Sequence, residues 1–169
     1  MGFFNVSIAL LKDCAKDAPA NTPLLGLDVG KKTIGLALAN PDQTLATPLE
    51  TIKRTKFSKD MEALKVIIAE HEVGGFVIGY PVNMDGSEGP RAQSIRDFAI
   101  EMDNTLGGAW VALWDERLST VSVEEAVDNF VEKRKTKVEA KASGLIDKLA
   151  AQMILQGALD FLTSERRNA

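Results

Sequence analysis

Asp28 is a carboxylate in a segment whose other residues leave little room for one. It lies near the end of Leu24-Leu25-Gly26-Leu27-Asp28-Val29, a nearly continuous apolar run typical of a strand buried on both faces. An isolated ion there loses several kcal/mol of hydration, so it needs a cation, a metal or dedicated hydrogen-bond donors. The carboxyl end of a strand is where open α/β sheets present their ligand sites. The plainer alternative is an acid that accepts backbone N–H bonds from the turn Val29 to Thr33. Gly30 favours the functional reading, because it is expected to clear space beside the carboxylate.

Three further acids are placed to join it. Asp147 falls in the first turn of a strongly periodic C-terminal helix, beside the buried stripe and close to Ala150 and Ala151, whose small size lets the helix lie close to a sheet. On its own it also reads as a first-turn acid facing the helix dipole. Asp115 and Glu116 end the run Gly108-Ala109-Trp110-Val111-Ala112-Leu113-Trp114, and strand alternation sends them to opposite faces. Strands lie about 4.8 Å apart, so an acid two strands from Asp28 reaches it only with a long side chain, which favours Glu116 over Asp115. Three carboxylates from separate elements suit hard divalent cations such as Mg2+ or Mn2+. A pair of such ions can activate water and stabilise the leaving oxygen at a phosphodiester.

Other chemistries find less support. His71 is the only histidine and sits near a helix end outside any motif, which argues against histidine-metal and Ser-His-Asp sites. Gly30-Lys31-Lys32-Thr33 lacks the earlier glycine of a phosphate loop. The loop from Tyr80 to Ser94 offers Asn83, Asp85, Ser87 and Glu88, with Pro90 suited to open a helix and Arg91 in its first turn. Lys32, Asn83, Arg91 and Arg117 are the candidate substrate contacts. Lys133, Arg134, Lys135, Lys137 and Lys141 form a basic stretch that is either a solvated loop or a contact to a nucleic-acid backbone.

The elements that must position these residues follow from periodicity. Residues 1–22 form a lead-in with one short helix expected around Val6 to Cys14. Leu24–Val29, Thr33–Asn40 and Thr44–Arg54 read as three strands joined by short turns, hence antiparallel hairpins. Phe57, Met61, Leu64, Ile67 and Ile68 mark a helix, with Ser58 and the nearby Glu62 expected to cap it. Two more buried strands, Gly74–Pro81 and Gly108–Asp115, are separated by a helix with the stripe Ile95, Phe98, Ala99 and Met102. Buried strands separated by helices predict parallel neighbours. A capping box at Ser122 and Glu125 opens a helix through Val131. The last helix carries Leu145, Ile146, Leu149, Ala150, Met153, Ile154, Gly157, Ala158, Phe161 and Leu162. The prediction is an α/β fold with a mixed five-stranded sheet, one domain over 23–163 and a tail over 164–169.

Composition sets limits. A chain of 169 residues with 45% hydrophobic content can bury a core without disulfides. The lone Cys14 excludes an internal disulfide and fits a reducing cytoplasm. No apolar stretch approaches the roughly 18 residues of a membrane span, and the start lacks the marks of a leader. A net charge of −4 argues mildly against bulk electrostatic binding of nucleic acid, although bound metal offsets carboxylate charge at a nucleolytic site.

Four segments together, LLGLDVGKKTIGLALA, FVIGYPVNMDGSEGPRA, WDERLST and DKLAAQMIL, resemble in order and spacing the signature blocks of the YqgF/RuvX family, described as pre-16S ribosomal RNA nucleases and as Holliday junction resolvase-like. The resemblance covers about Leu24 to Leu162. It implies an RNase H-like fold, a cytoplasmic nuclease that matures the 5′ end of pre-16S ribosomal RNA, and catalytic, metal-holding acids at Asp28, Glu116 and Asp147. Relatives in the wider superfamily carry an acid on the strand beside the first. Here that strand ends Gly79-Tyr80-Pro81, which leaves Asp115, Asp85 and Glu88 as alternatives for the middle ligand. The competing functions are a resolvase of four-way DNA, which would act as a homodimer rather than a monomer, and a non-catalytic RNA-binding module.

Overall fold

The computed structural model describes residues 8–118 and 144–168. The expected helix from Ser122 and the basic stretch Lys133 to Lys141 lie outside the described residues. The elements are β1 (Ile8–Leu10), α1 (Leu11–Cys14), β2 (Leu24–Val29), β3 (Thr33–Ala39), β4 (Ala46–Lys53), α2 (Phe57–His71), β5 (Gly75–Tyr80), α3 (Pro90–Leu106), β6 (Trp110–Asp115) and α4 (Leu145–Arg167). They build one mixed sheet in the order β1-β6-β5-β2-β3-β4. As the periodicity predicts, β2, β5 and β6 are parallel neighbours, while β2–β3 and β3–β4 are antiparallel.

Among the described residues the sheet has six strands rather than the expected five. Where a helix was expected around Val6 to Cys14, the described part of that span has Ile8–Leu10 paired parallel with Val111–Leu113 and Leu11–Cys14 helical. A short apolar run does not distinguish strand from helix by itself, and pairing satisfies backbone groups that β6 would otherwise leave open at its edge. The indole N–H of Trp110 on β6 donates to the Cys14 carbonyl at 3.1 Å, which ties α1 back to the sheet.

Alternation along the strands creates two unlike faces. Leu25, Leu27, Val29, Ile34, Leu36, Phe76, Ile78, Tyr80, Val111 and Leu113 pack against α2 and α3. The other face presents Leu24, Ala37, Ala39, Val77, Ala112 and Trp114 to α1 and α4. The buried side of α4 is Ala150, Ala151, Ile154, Leu155, Ala158, Leu159 and Leu162. This corrects the predicted stripe, which omitted Ala151, Leu155 and Leu159. The helix is apolar over a wide arc, and the rotation that wins seats Leu155 against Gly26, where an added Cβ would lie 2.7 Å from the leucine Cβ.

The helix ends show which local signals operate. Ser58 does not cap α2; its N-cap is Lys56, with no side-chain cap, and Asp60 Oδ1 instead accepts the Thr55 N–H at 3.0 Å. Pro90 opens α3 as expected, and Gly107, at φ +82°, closes it with its N–H on the Asp103 carbonyl.

Candidate functional site

Asp28 sits second from the end of β2 on the α4 face, opposite Gly35 of β3. That glycine decides how near the last helix can come. A Cβ on Gly35 would lie 2.0 Å from the Asp147 carbonyl oxygen and 2.3 Å from its carbonyl carbon, so the first turn of α4 rests on bare backbone beside Asp28. Thr51 on β4 fixes the same end of the helix by donating its hydroxyl to the Gly144 carbonyl at 2.7 Å. The first-turn acid Asp147 is thereby brought near enough for its charge to act on Asp28.

Glu116 arrives from the other side. It opens a single 3-10 turn after β6, and β5 lies between β6 and β2. The long side chain crosses that gap because the intervening position is Gly79, where an added Cβ would stand 3.0 Å from Glu116 Oε1 and 2.5 Å from Ile154 Cδ1. The strand that lacks the superfamily acid thus contributes clearance for an acid from its neighbour.

Electrostatics registers the convergence. The Asp28 carboxyl is pushed above its ordinary range by burial, then by the charge of Asp147, while Arg91 opposes the shift. Glu116 rises from an ordinary 4.5 to about 7, through burial first and the Asp28 charge second, with Arg91 again opposing. Like charges gathered in a half-buried space resist joint ionisation, and a cation removes the conflict. The donor set therefore fits a hard divalent ion: it consists of carboxylate oxygens whose repulsion the ion would relieve. Among the described residues no three acidic, histidine or cysteine side chains are drawn up closely enough to ligate one ion jointly.

The remaining candidates have other attachments. Asp115 is held below the usual carboxylate range by hydrogen bonds from Arg117, whose Nη2 donates to Oδ2 at 2.7 Å. Asp85 is likewise lowered, by the Ser87 hydroxyl at 2.6 Å and the Ser87 N–H at 2.9 Å, and Glu88 pairs with Arg96 at 3.3 Å. None of these three bonds to Asp28. Arg117 is exposed, and its Nη1 also lies 3.4 Å from the Met84 carbonyl. Asn83 is exposed and donates to Ser87 Oγ at 3.0 Å, which braces the loop between β5 and α3. Lys32 is exposed in the β2–β3 turn. Arg91 donates through Nη2 to the Val29 carbonyl, so it braces the strand that carries Asp28 as well as lending its charge.

Contrary to expectation, Gly30 clears no space for Asp28: its added Cβ would meet the Thr33 carbonyl at 3.1 Å, and the clearance belongs to Gly35 and Gly79. The turn does not satisfy Asp28 either. Its Gly30 N–H bonds the Thr33 carbonyl at 2.8 Å, and among the described residues no turn N–H donates to the carboxylate. Gly35 and Gly79 were missed, although an isolated glycine inside a strand is a recognised mark of close backbone approach.

A family model described as RuvX, Holliday junction resolvase, matches residues 22–161. A protein of Bradyrhizobium diazoefficiens named "Putative pre-16S rRNA nuclease" is 51% identical over 156 residues, covering 92% of this chain and 93% of its own. A protein of Jannaschia sp. with the same name is 50% identical over 154 residues, covering 90% and 93%. Among solved structures, T. thermophilus RuvC in complex with a Holliday junction substrate superposes with a TM-score of 0.52 at 13% identity, over 88% of this chain and 98% of that one. At that identity the likeness establishes the RNase H-like fold and no more. Among the described residues no helix is long and apolar enough to cross a membrane.

Proposed function

Because the chain belongs to the RuvX family, we propose that it is a divalent-metal-dependent nuclease that cleaves phosphodiester bonds in precursor 16S ribosomal RNA, maturing its 5′ end. The observation that carries the reading is that Asp28 feels the charge of Asp147, and Glu116 that of Asp28, at a strand end that glycines have cleared. RNA is preferred over branched DNA because relatives about half identical over nearly their whole length bear the ribosomal RNA name, whereas the junction-bound structure shares only the fold.

In this reading Asp28, Asp147 and Glu116 would hold Mg2+ or Mn2+. Such ions, when bound, lower the pKa of water and stabilise an oxyanion leaving group. The protein's own groups divide the rest of the work. Glu116 would serve as a ligand or orient the attacking water, because a bound cation relieves the charge conflict with Asp28 that raises its carboxyl in the metal-free protein. Arg91 keeps the end of β2 in place and offsets part of the acidic charge. Lys32 on the turn, with Asn83 and Arg117 on the facing loops, supplies polar contacts for the nucleic-acid backbone. We place the reaction in the cytoplasm, in keeping with the lone, buried Cys14 thiol.

The deciding experiment compares wild type with Asp28→Asn on precursor 16S ribosomal RNA and on a synthetic four-way DNA junction, both with Mn2+. The expected result is RNA cleavage by wild type and at least about a thousandfold loss in the variant, with a melting midpoint within a few degrees. Equal cleavage by both proteins would refute the assignment. Cleavage of the junction alone would transfer the activity to a resolvase.

A further inference from the structure

Arg54, the residue after β4, fastens the turn that follows Asp28. Its backbone N–H donates to the Lys32 carbonyl at 2.8 Å, and its Nη1 donates to the Gly30 carbonyl at 2.6 Å. The guanidinium also lies 5.4 Å from the Phe98 ring centroid on α3, and its Nε stands 3.8 Å from Oδ2 of Asp60 on α2. Asp60 is only 2% exposed, and its Oδ2 has no hydrogen-bond partner among the described residues.

A pair of this kind is a poor device for stability. Desolvation of a buried acid offsets most of what the ion pair returns, and apolar replacements of such pairs are often neutral or stabilising. What the pair does accomplish is local. Arg91 of α3 holds the Val29 carbonyl and Arg54 holds the Gly30 carbonyl, so the two residues just past Asp28 are gripped by guanidiniums from different elements. No N–H of the turn steadies the Asp28 carboxylate itself, so its aim depends on the backbone behind it.

We propose that Arg54, held in place by Asp60, is a positioning residue that fixes the β2–β3 turn and thereby keeps Asp28 directed at Asp147 and Glu116. The inference rests on the nuclease reading of that site. It adds support from the residue that follows β4 and from α2, parts of the chain that contribute none of the three acids. Displacement of a reacting group by about 1 Å is enough to cost up to roughly a hundredfold in rate, so a loosened turn reads out in catalysis before it reads out in folding.

Arg54→Met alone strands a buried charge on Asp60 and risks unfolding. The informative protein is therefore Arg54→Met/Asp60→Asn, which removes both charges and leaves a side-chain amide oxygen able to accept the Thr55 N–H. The expected result is a melting midpoint within a few degrees of wild type or above it. kcat on precursor RNA should fall about tenfold with KM within about twofold. Calorimetric Mn2+ affinity should weaken about fivefold at unchanged stoichiometry, and 15N relaxation of the metal-free protein should show loss of order confined to the amides of residues 29–33. Arg54→Lys, which keeps the charge and an ammonium able to donate to one of the turn carbonyls, should retain part of the kcat that the double variant loses.

A folded double variant with unaltered kcat, Mn2+ affinity and amide order would overturn the proposal. So would a large fall in melting midpoint accompanied by uniform loss of order, which describes a stabilising pair. If wild type itself fails to cleave RNA, the nuclease reading falls, and the amide order at residues 29–33 still decides whether Arg54 positions the turn.

Discussion

The two faces of the sheet solve different problems with the same strands. Toward α2 and α3, the strands present Leu, Ile, Val, Phe and Tyr, and the helices stand off at the distance those side chains impose. Toward α4, the same strands present Gly26, Gly35 and Gly79 among alanines, and the helix comes down until its backbone nearly touches theirs. The first face buries large apolar side chains, each Å2 of apolar area contributing roughly 25 cal/mol. The second gives up side-chain area and in return brings Asp147 and Glu116 near enough to Asp28 for their charges to interact at its open end. A face that yields core volume for close approach is where acids from distant parts of the chain can meet.

That contrast is open to direct attack, most severely at Gly35. Gly35→Ala drives a methyl into the backbone of Asp147, so the first turn of α4 must shift. Urea denaturation should show a loss of about 3 kcal/mol or more, and cleavage should fall at least about a hundredfold. A loss under about 1 kcal/mol would mean that the helix approach is not tight in solution.

Gly79→Ala is milder in stability and more selective in effect. Its methyl meets the movable end of Ile154 and the carboxylate of Glu116. A cost of about 1–2 kcal/mol is expected, with cleavage down about tenfold because Glu116 is pushed aside. Cleavage that survives intact would show that Glu116 does not need to cross β5.

The repulsion has a pH signature. A carboxyl whose pKa is raised on folding binds more protons in the folded state, so its stabilising contribution is complete below the unfolded value near 4.5 and disappears as pH rises through about 7. The raised Asp28 carboxyl acts in the same direction. Metal-free wild type should therefore lose stability between about pH 5 and pH 8, and Glu116→Gln should lose on the order of 1–2 kcal/mol less over that window. Parallel profiles for the two proteins would mean that Glu116 is solvated.

The smallest effect belongs to the neighbouring acid. Asp115 faces away from Asp28 and spends its charge on Arg117, so Asp115→Asn should cost no more than about 1 kcal/mol and leave cleavage within about threefold. A collapse of activity there would move the third acid from Glu116 to Asp115.

Much of the framework was legible from periodicity. The buried strands, the hairpins and the helices over Phe57–His71 and Pro90–Leu106 all follow from spacing that repeats over many residues. Short segments were less legible. Ile8–Leu10 falls in a span that reads as helix until β6 offers an edge, and Ser58 looks like a cap although α2 has no side-chain cap and Asp60 bonds only the preceding Thr55 N–H. The apolar arc of α4 was evident, but the side of it that faces the sheet was not.

The site divides in the same way. Local texture and period were sufficient to show that Asp28 is an expensive acid at a strand end, that Asp147 lies in a helix first turn, and that only one of Asp115 and Glu116 can share their face. Three further facts waited for the folded chain: Glu116 is the acid that crosses β5, Gly35 and Gly79 make room for the meeting, and Arg54 and Arg91 grip the turn behind Asp28. Those facts depend on which strands are neighbours and how closely a helix packs on them, and no periodicity in a single chain encodes a distance between segments remote in sequence.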